Sequence, residues 1–130
     1  MNMSACPRPI RLGVVRFLNT QPIIAGLDQC KDVSLKEAVP SALIGLLERD
    51  DVDVALCSSI DYQRASAPLV VLPAPSLGCF GATQTVCLYS RRPFSDIATV
   101  HCDTDSHTSV VLLQVLWHEL HGRAIEIVPF

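Results

Sequence analysis

The sequence predicts an α/β fold with a largely parallel sheet, and three observations predict it. Apolar runs of strand length recur along the chain, segments of helical period separate them, and Pro or a short polar residue marks the joins. The chain has 130 residues, which suits a domain with a real core, and its hydrophobic fraction of 49% with a mean hydropathy of +0.35 excludes a disordered tail. No apolar run approaches the ~18 residues that would cross a bilayer. The opening Met1 to Pro9 is polar and proline-broken, without the apolar core of a secretion signal, so a cytoplasmic location is expected. A net charge of -3 and an isoelectric point near 5.7 argue against a nucleic-acid surface.

The elements follow in order. Ile10 to Val15 reads as a first strand, and Arg16-Phe17-Leu18-Asn19-Thr20-Gln21-Pro22 follows it. An apolar run, an Asn-Thr pair and then a proline give the order strand, cap, helix, with a short helix from Pro22 to Leu27 closed near Gly26. Val33, Leu35 and Ala38 alternate with polar residues as in a half-buried second strand. Val39-Pro40-Ser41 stops it, Ser41 is the expected cap, and Leu43, Leu46 and Leu47 recur at helical spacing. Val52 to Leu56 is strand three, running into Cys57-Ser58-Ser59 and a helix-like Ile60 to Arg64.

Further on, Leu69 to Leu72 is an apolar β run and Pro73 to Gly81 a crossing segment. Thr85 to Tyr89 reads as a strand, being rich in β-branched and aromatic residues. Arg91 to Asp96 is turn material and Thr99 to Cys102 another strand. A helix from about Ser109 to His121 follows, with Val110, Leu113, Leu116, Trp117 and Leu120 as its buried stripe, and Ile125 to Val128 is the last strand. Strand, helix and strand from Thr99 onward make too little sheet to bury its own faces. The chain therefore reads as a two-lobed protein with residues 1–93 as the first α/β lobe and 94–130 as the start of an incomplete second one; the plainer alternative is one small α/β domain.

Three strand ends carry the same chemistry: Asn19-Thr20, Ser58-Ser59 and Ser106 to Ser109. Short hydroxyls and amides beside helix starts suit a carboxylate, because they donate hydrogen bonds and the helix dipole favours an anion. Ligands of open α/β sheets bind at the carboxyl ends of strands. The alternative is three ordinary helix caps. The six cysteines show no C-x-x-C spacing and read as reduced thiols, with Cys57, Cys79, Cys87 and Cys102 as small buried hydrophobes. His118 and His121 lack the His-Glu-x-x-His spacing of a zinc site, and no Gly-rich phosphate loop appears, so neither a metal nor a cofactor is expected.

Phe17-Leu18-Asn19-Thr20-Gln21-Pro22 resembles the Tyr/Phe-Leu-Asn-x-x-Pro opening of the chorismate dehydratase family, which acts first in the futalosine route to menaquinone. Later stretches resemble that family in order: Val39-Pro40 with Leu43, Leu46 and Leu47; Val52 to Leu56; Ser58-Ser59; Thr85 to Ser90 before a proline; and His101 to Val110. The resemblance implies a type II periplasmic-binding-protein fold of two α/β lobes, used as a hydro-lyase that removes water from chorismate. Asn19 matches the family's active-site asparagine. The resemblance makes Thr20, Ser58, Ser59, Thr85, Ser106, His107, Thr108 and Ser109 candidates for holding the substrate, and chorismate the small-molecule partner, with no nucleic acid and no membrane. His107 stands where the family usually has arginine, which replaces a fixed bidentate charge by an imidazole. The family's chain is also about twice this length, on the scale of two domains, so this chain is expected to be inactive alone. A non-catalytic module binding a small acid on the same fold is the alternative.

Overall fold

The computed structural model describes residues 8–83 and 85–130, a mixed α/β structure with small parallel sheets. It divides into two compact units, one reaching to Leu77 and one running from Gly78 to Phe130. Each unit has its own sheet and its own apolar cluster.

In the first unit, β1 (Ile10–Val14) lies between β2 (Val33–Glu37) and β3 (Val54–Ala55), all parallel. Ile10 is opposite Val33 and Val14 opposite Glu37, while Leu12 and Gly13 face Val54 and Ala55. The expected third strand is shorter than Val52 to Leu56, yet its ladder continues past both ends: Asp53 N donates to Arg11 O at 2.8 Å and Leu56 N to Gly13 O at 3.0 Å. Parallel strands need long crossovers. These are supplied by α1 (Gln21–Ile24) with a 3₁₀ turn at Leu27–Gln29, and by α2 (Pro40–Glu48), which carries the chain from one side of β1 to the other. Helix α3 (Ser59–Arg64) leaves the end of β3.

The leucines of α2 do what their spacing predicts. Leu43 and Leu46 are buried and join Val15 and Val52 in one cluster. The approach of α2 to β1 depends on Gly13, where an added Cβ would stand 3.0 Å from Leu43 Cδ2 and 3.1 Å from Ala55 Cβ. The cap differs from expectation. Val39, not Ser41, is the N-cap, because Pro40 opens the helix, and no side chain caps it. At the other end Asp50 closes α2 with a left-handed φ of 56°, and its neighbour Glu48 accepts from Ser66 N at 2.8 Å and Ser66 Oγ at 2.7 Å.

The amino ends of β1 and β3 are tied by charge. Asp53 accepts from Arg8 Nη1 and Nη2 at 2.7 and 2.8 Å, and from Arg11 N and Nη2 at 2.9 Å each. These bonds, Arg8's first, hold the Asp53 carboxyl well below the usual carboxylate range.

The second unit holds β4 (Thr99–Cys102) parallel to β5 (Glu126–Pro129), joined through α4 (His107–His121). A 3₁₀ turn at Phe94–Asp96 precedes β4. Val100, Trp117 and Ile125 form the core, and Arg123 closes it by donating to Ser95 O at 2.9 Å and to Ile97 O while lying 5.7 Å from the Trp117 ring centroid.

Several expectations are corrected here. Neither Leu69 to Leu72 nor Thr85 to Tyr89 forms a strand, for β propensity needs a partner edge and neither segment pairs with one among the described residues. Of the expected α4 stripe only Trp117 is buried; Leu116 is 49% and Leu120 75% exposed, because a two-stranded sheet covers one narrow strip of helix. Helix α4 starts at His107 rather than near Ser109. Cys79 and Cys87 are exposed, since the segments expected to bury them are irregular, while Cys57 and Cys102 are half-buried; Cys6 lies outside the described residues.

Two outcomes follow from this packing. Gly13→Val overfills the contact with Leu43 and Ala55 and lowers stability by about 1–3 kcal/mol, read from urea unfolding. The Asp53 carboxyl has a lowered folded-state pKa, so its contribution is whole above the unfolded value near pH 4 and is lost as pH falls through the folded value. Asp53→Asn therefore lowers stability at pH 7 and makes the acid limb of a stability-against-pH curve shallower.

Candidate functional site

Because β2, β1 and β3 run parallel, their carboxyl ends share one edge of the first sheet. Arg16 to Asn19 leave β1 there, Ala38 and Val39 leave β2, and Cys57 to Ser59 leave β3. A depression of about 330 Å³ opens at the ends of β1 and β2, lined by Val15, Arg16, Phe17, Glu37, Ala38 and Val39. Its two charged lining residues pair, Arg16 Nε lying 2.5 Å from Glu37 Oε1.

The loop after β1 is built on Thr20. This residue is 5% exposed, and its hydroxyl lies against two carbonyls, those of Val15 and Phe17, the latter at 2.7 Å. A hydroxyl has one proton to give, so the two carbonyls share it. Thr20 N also donates to Phe17 O at 3.0 Å. The expected helix cap is absent: Thr20 precedes α1, but its side chain turns back into the loop instead of capping. The loop is thereby held in a tight turn with Leu18 88% exposed and Asn19 exposed beside it.

At the end of β3 the cap does form. Ser58 Oγ accepts from Asp61 N at 3.3 Å and donates to Asp61 Oδ2 at 2.7 Å, so one hydroxyl makes both bonds at the start of α3. Asp61 is 4% exposed. The Ser58 hydroxyl proton thus points at a buried carboxylate, and what Ser58 offers outward is a lone pair. Ser59 is exposed one residue on. Cys57, just before them, is not an activated thiol, since burial and the Asp61 charge push it up to about 11.

In the second unit, the candidate residues gather at the start of α4. Ser106 is its N-cap, accepting from Ser109 N at 3.3 Å, and the two hydroxyls lie 2.9 Å apart. Asp103 Oδ1 accepts from Asp105 N at 2.8 Å and shapes the turn before it. His107 and Thr108 fall in the first helical turn, His107 half-buried and Thr108 exposed. Thr85 is exposed in an irregular segment of the same unit. Among the described residues no group of three or more His, Cys, Asp or Glu is placed to hold a metal, and no helix is long and apolar enough to cross a membrane.

The structure therefore brings Asn19, Thr20, Ser58 and Ser59 to one sheet edge, and Ser106, His107, Thr108 and Ser109 to one helix start. Sequence reasoning missed Glu37, Asp61 and the use of Arg16. Asp61 was detectable, for Ser58-x-x-Asp61 is the spacing of a capping box. The Arg16 and Glu37 pair was not, because it depends on the β1–β2 register. Thr20→Val and Ser58→Ala each lower the stability of the unliganded chain by about 0.5–2 kcal/mol, measured by thermal or urea unfolding, because both hydroxyls hold backbone before any ligand arrives.

Comparison with known proteins adds a lineage to this geometry. The sequence pattern of a family described as menaquinone biosynthesis matches residues 10–130. A chorismate dehydratase of Thermus thermophilus is 33% identical over 112 residues, covering 86% of this chain and 41% of the relative. The chain thus spans about two fifths of that relative's length.

Proposed function

The chain belongs to the menaquinone-biosynthesis family, and from that premise we propose that it serves the chorismate dehydratase reaction. The observation that carries this reading is the 33% identity to a chorismate dehydratase along 86% of the chain. The reaction is removal of water from chorismate to give 3-[(1-carboxyvinyl)oxy]benzoate, the first step of a futalosine route to menaquinone. The ring proton beside the enol ether leaves, the neighbouring hydroxyl departs with its bonding pair, and the two make water as the ring becomes aromatic. Aromatisation supplies driving force, so the protein's work is to orient the ring and to guide one proton.

In this reading the fold is the two-lobed type II periplasmic-binding-protein arrangement, with this chain supplying one lobe and the beginning of the other, and the location is cytoplasmic. Asn19 orients the reacting groups. An amide is no base near neutral pH, so the proton passes to a substrate carboxylate or another group. Ser59, Thr108 and Thr85, exposed in the structure, donate to carboxylates. Thr20, Ser58, Ser106 and Ser109 contribute by setting the turns from which those donors project, as their hydrogen bonds support.

The second reading, a small-acid-binding module without catalysis, is favoured by one residue. His107 replaces the guanidinium that its stretch of the family usually carries, and an imidazole cannot make the same two parallel bonds.

One assay separates the two. Chorismate loss and product appearance are followed with the 130-residue chain and with a form extended as far as its reading frame runs. The dehydratase reading expects turnover by the extended form, reduced at least about 100-fold by Asn19→Ala, the scale of a lost positioning group. Saturable chorismate binding with no product in either form replaces it with the binding module.

A further inference from the structure

The depression at the ends of β1 and β2 carries a cation that the mechanism above leaves unused. Of its lining residues, Val15, Phe17, Ala38 and Val39 are apolar, and Arg16 and Glu37 are charged. The Arg16 and Glu37 side chains are 73% and 40% exposed. A pair so open to water adds little to stability, and β1 and β2 are already joined by a full parallel ladder. Holding the strands together therefore does not account for it.

The way the pair is made points to another use. Arg16 touches Glu37 through Nε, and among the described residues nothing takes a hydrogen bond from its terminal nitrogens. Those two nitrogens present parallel N–H bonds, the fork that fits a carboxylate. Lining the same depression are Phe17, 51% exposed, and Val39, 42% exposed. A cation next to an exposed apolar wall matches a ligand that combines an unsaturated ring with a carboxylate. Asn19 follows Arg16 by three residues on the turn that Thr20 pins.

We propose that Arg16 is a specificity-determining residue that grips one carboxylate of the ring substrate end-on, with Glu37 as its orienting partner. Glu37 holds the guanidinium by Nε and leaves the outer fork open. Its charge also opposes an incoming anion, so the orientation comes at some loss of affinity. This inference rests on the dehydratase reading and names the group that selects an acid at the first unit's edge, where the hydroxyls of Thr20 and Ser58 are already committed.

The test is a calorimetric titration of chorismate into the 130-residue chain and its extended form, each as wild type, Arg16→Met, Arg16→Lys, Glu37→Gln and Asn19→Ala. Arg16→Met weakens binding about tenfold or more, the scale of lost hydrogen bonds to a charged group. Arg16→Lys recovers part of that loss, since a point charge remains without the fork. Glu37→Gln keeps an acceptor for Nε, removes the opposing charge and binds more tightly. Unchanged unfolding midpoints in all Arg16 and Glu37 variants set this apart from a structural role. Arg16→Met binding within twofold of wild type, while Asn19→Ala has lost affinity, overturns the inference and leaves the dehydratase reading standing. Absence of chorismate binding by both folded wild-type forms overturns that reading, and this inference with it.

Discussion

The first unit depends on one strand having parallel neighbours on both sides. β1 takes β2 on one edge and β3 on the other, so each crossover must leave the sheet and return to the same starting end. Two consequences follow from that constraint. A helix has to lie close on the sheet, which it does only because Gly13 has no side chain where Leu43 and Ala55 crowd in. Every strand also ends at the same edge, which gathers Arg16 to Asn19, Ala38 and Val39, and Ser58 and Ser59 from three separate stretches of sequence.

The hydrogen bonds at that edge divide the polar residues into two kinds. Thr20 and Ser58 are spent on the fold: one pins a turn through two carbonyls, the other closes a helix start against buried Asp61. Asn19 and Ser59 are exposed beside them. A hydroxyl that holds the backbone and an exposed polar neighbour are complementary uses of adjacent positions, because a side chain is accurately aimed only when the turn beneath it is rigid. The start of α4 repeats the plan, with Ser106 and Ser109 bonded to each other and Thr108 turned outward.

The second unit has the same parallel grammar with less material. Two strands and α4 bury Val100, Trp117 and Ile125, and Arg123 closes the cluster from the side. Leu112, Val115, Leu116 and Leu120 remain about half exposed or more on the helix. The buried Trp117 Nε1 has no acceptor among the described residues, so the indole is held by packing and by Arg123 at its ring, whereas the first unit adds the Asp53 ion pairs to its own core.

Much of this was legible in the sequence. The strands at Ile10, Val33 and Thr99, the leucines of α2 and the α/β class all follow from local periodicity, which a strand or helix face imposes wherever it packs. Family membership was legible too, since Phe17 to Pro22 and the stretches after it keep their order. Tertiary structure decided what periodicity cannot express. Thr85 to Tyr89 has strand composition but finds no partner strand among the described residues, and Leu116 and Leu120 have helical spacing yet stay 49% and 75% exposed. The pairing of Arg16 with Glu37 and the turning of Thr20 away from its helix depend on register and on which carbonyls a fold brings near. Local sequence determines which faces are apolar; only the assembled sheet determines which of them find a neighbour and which polar groups are left exposed at its edge.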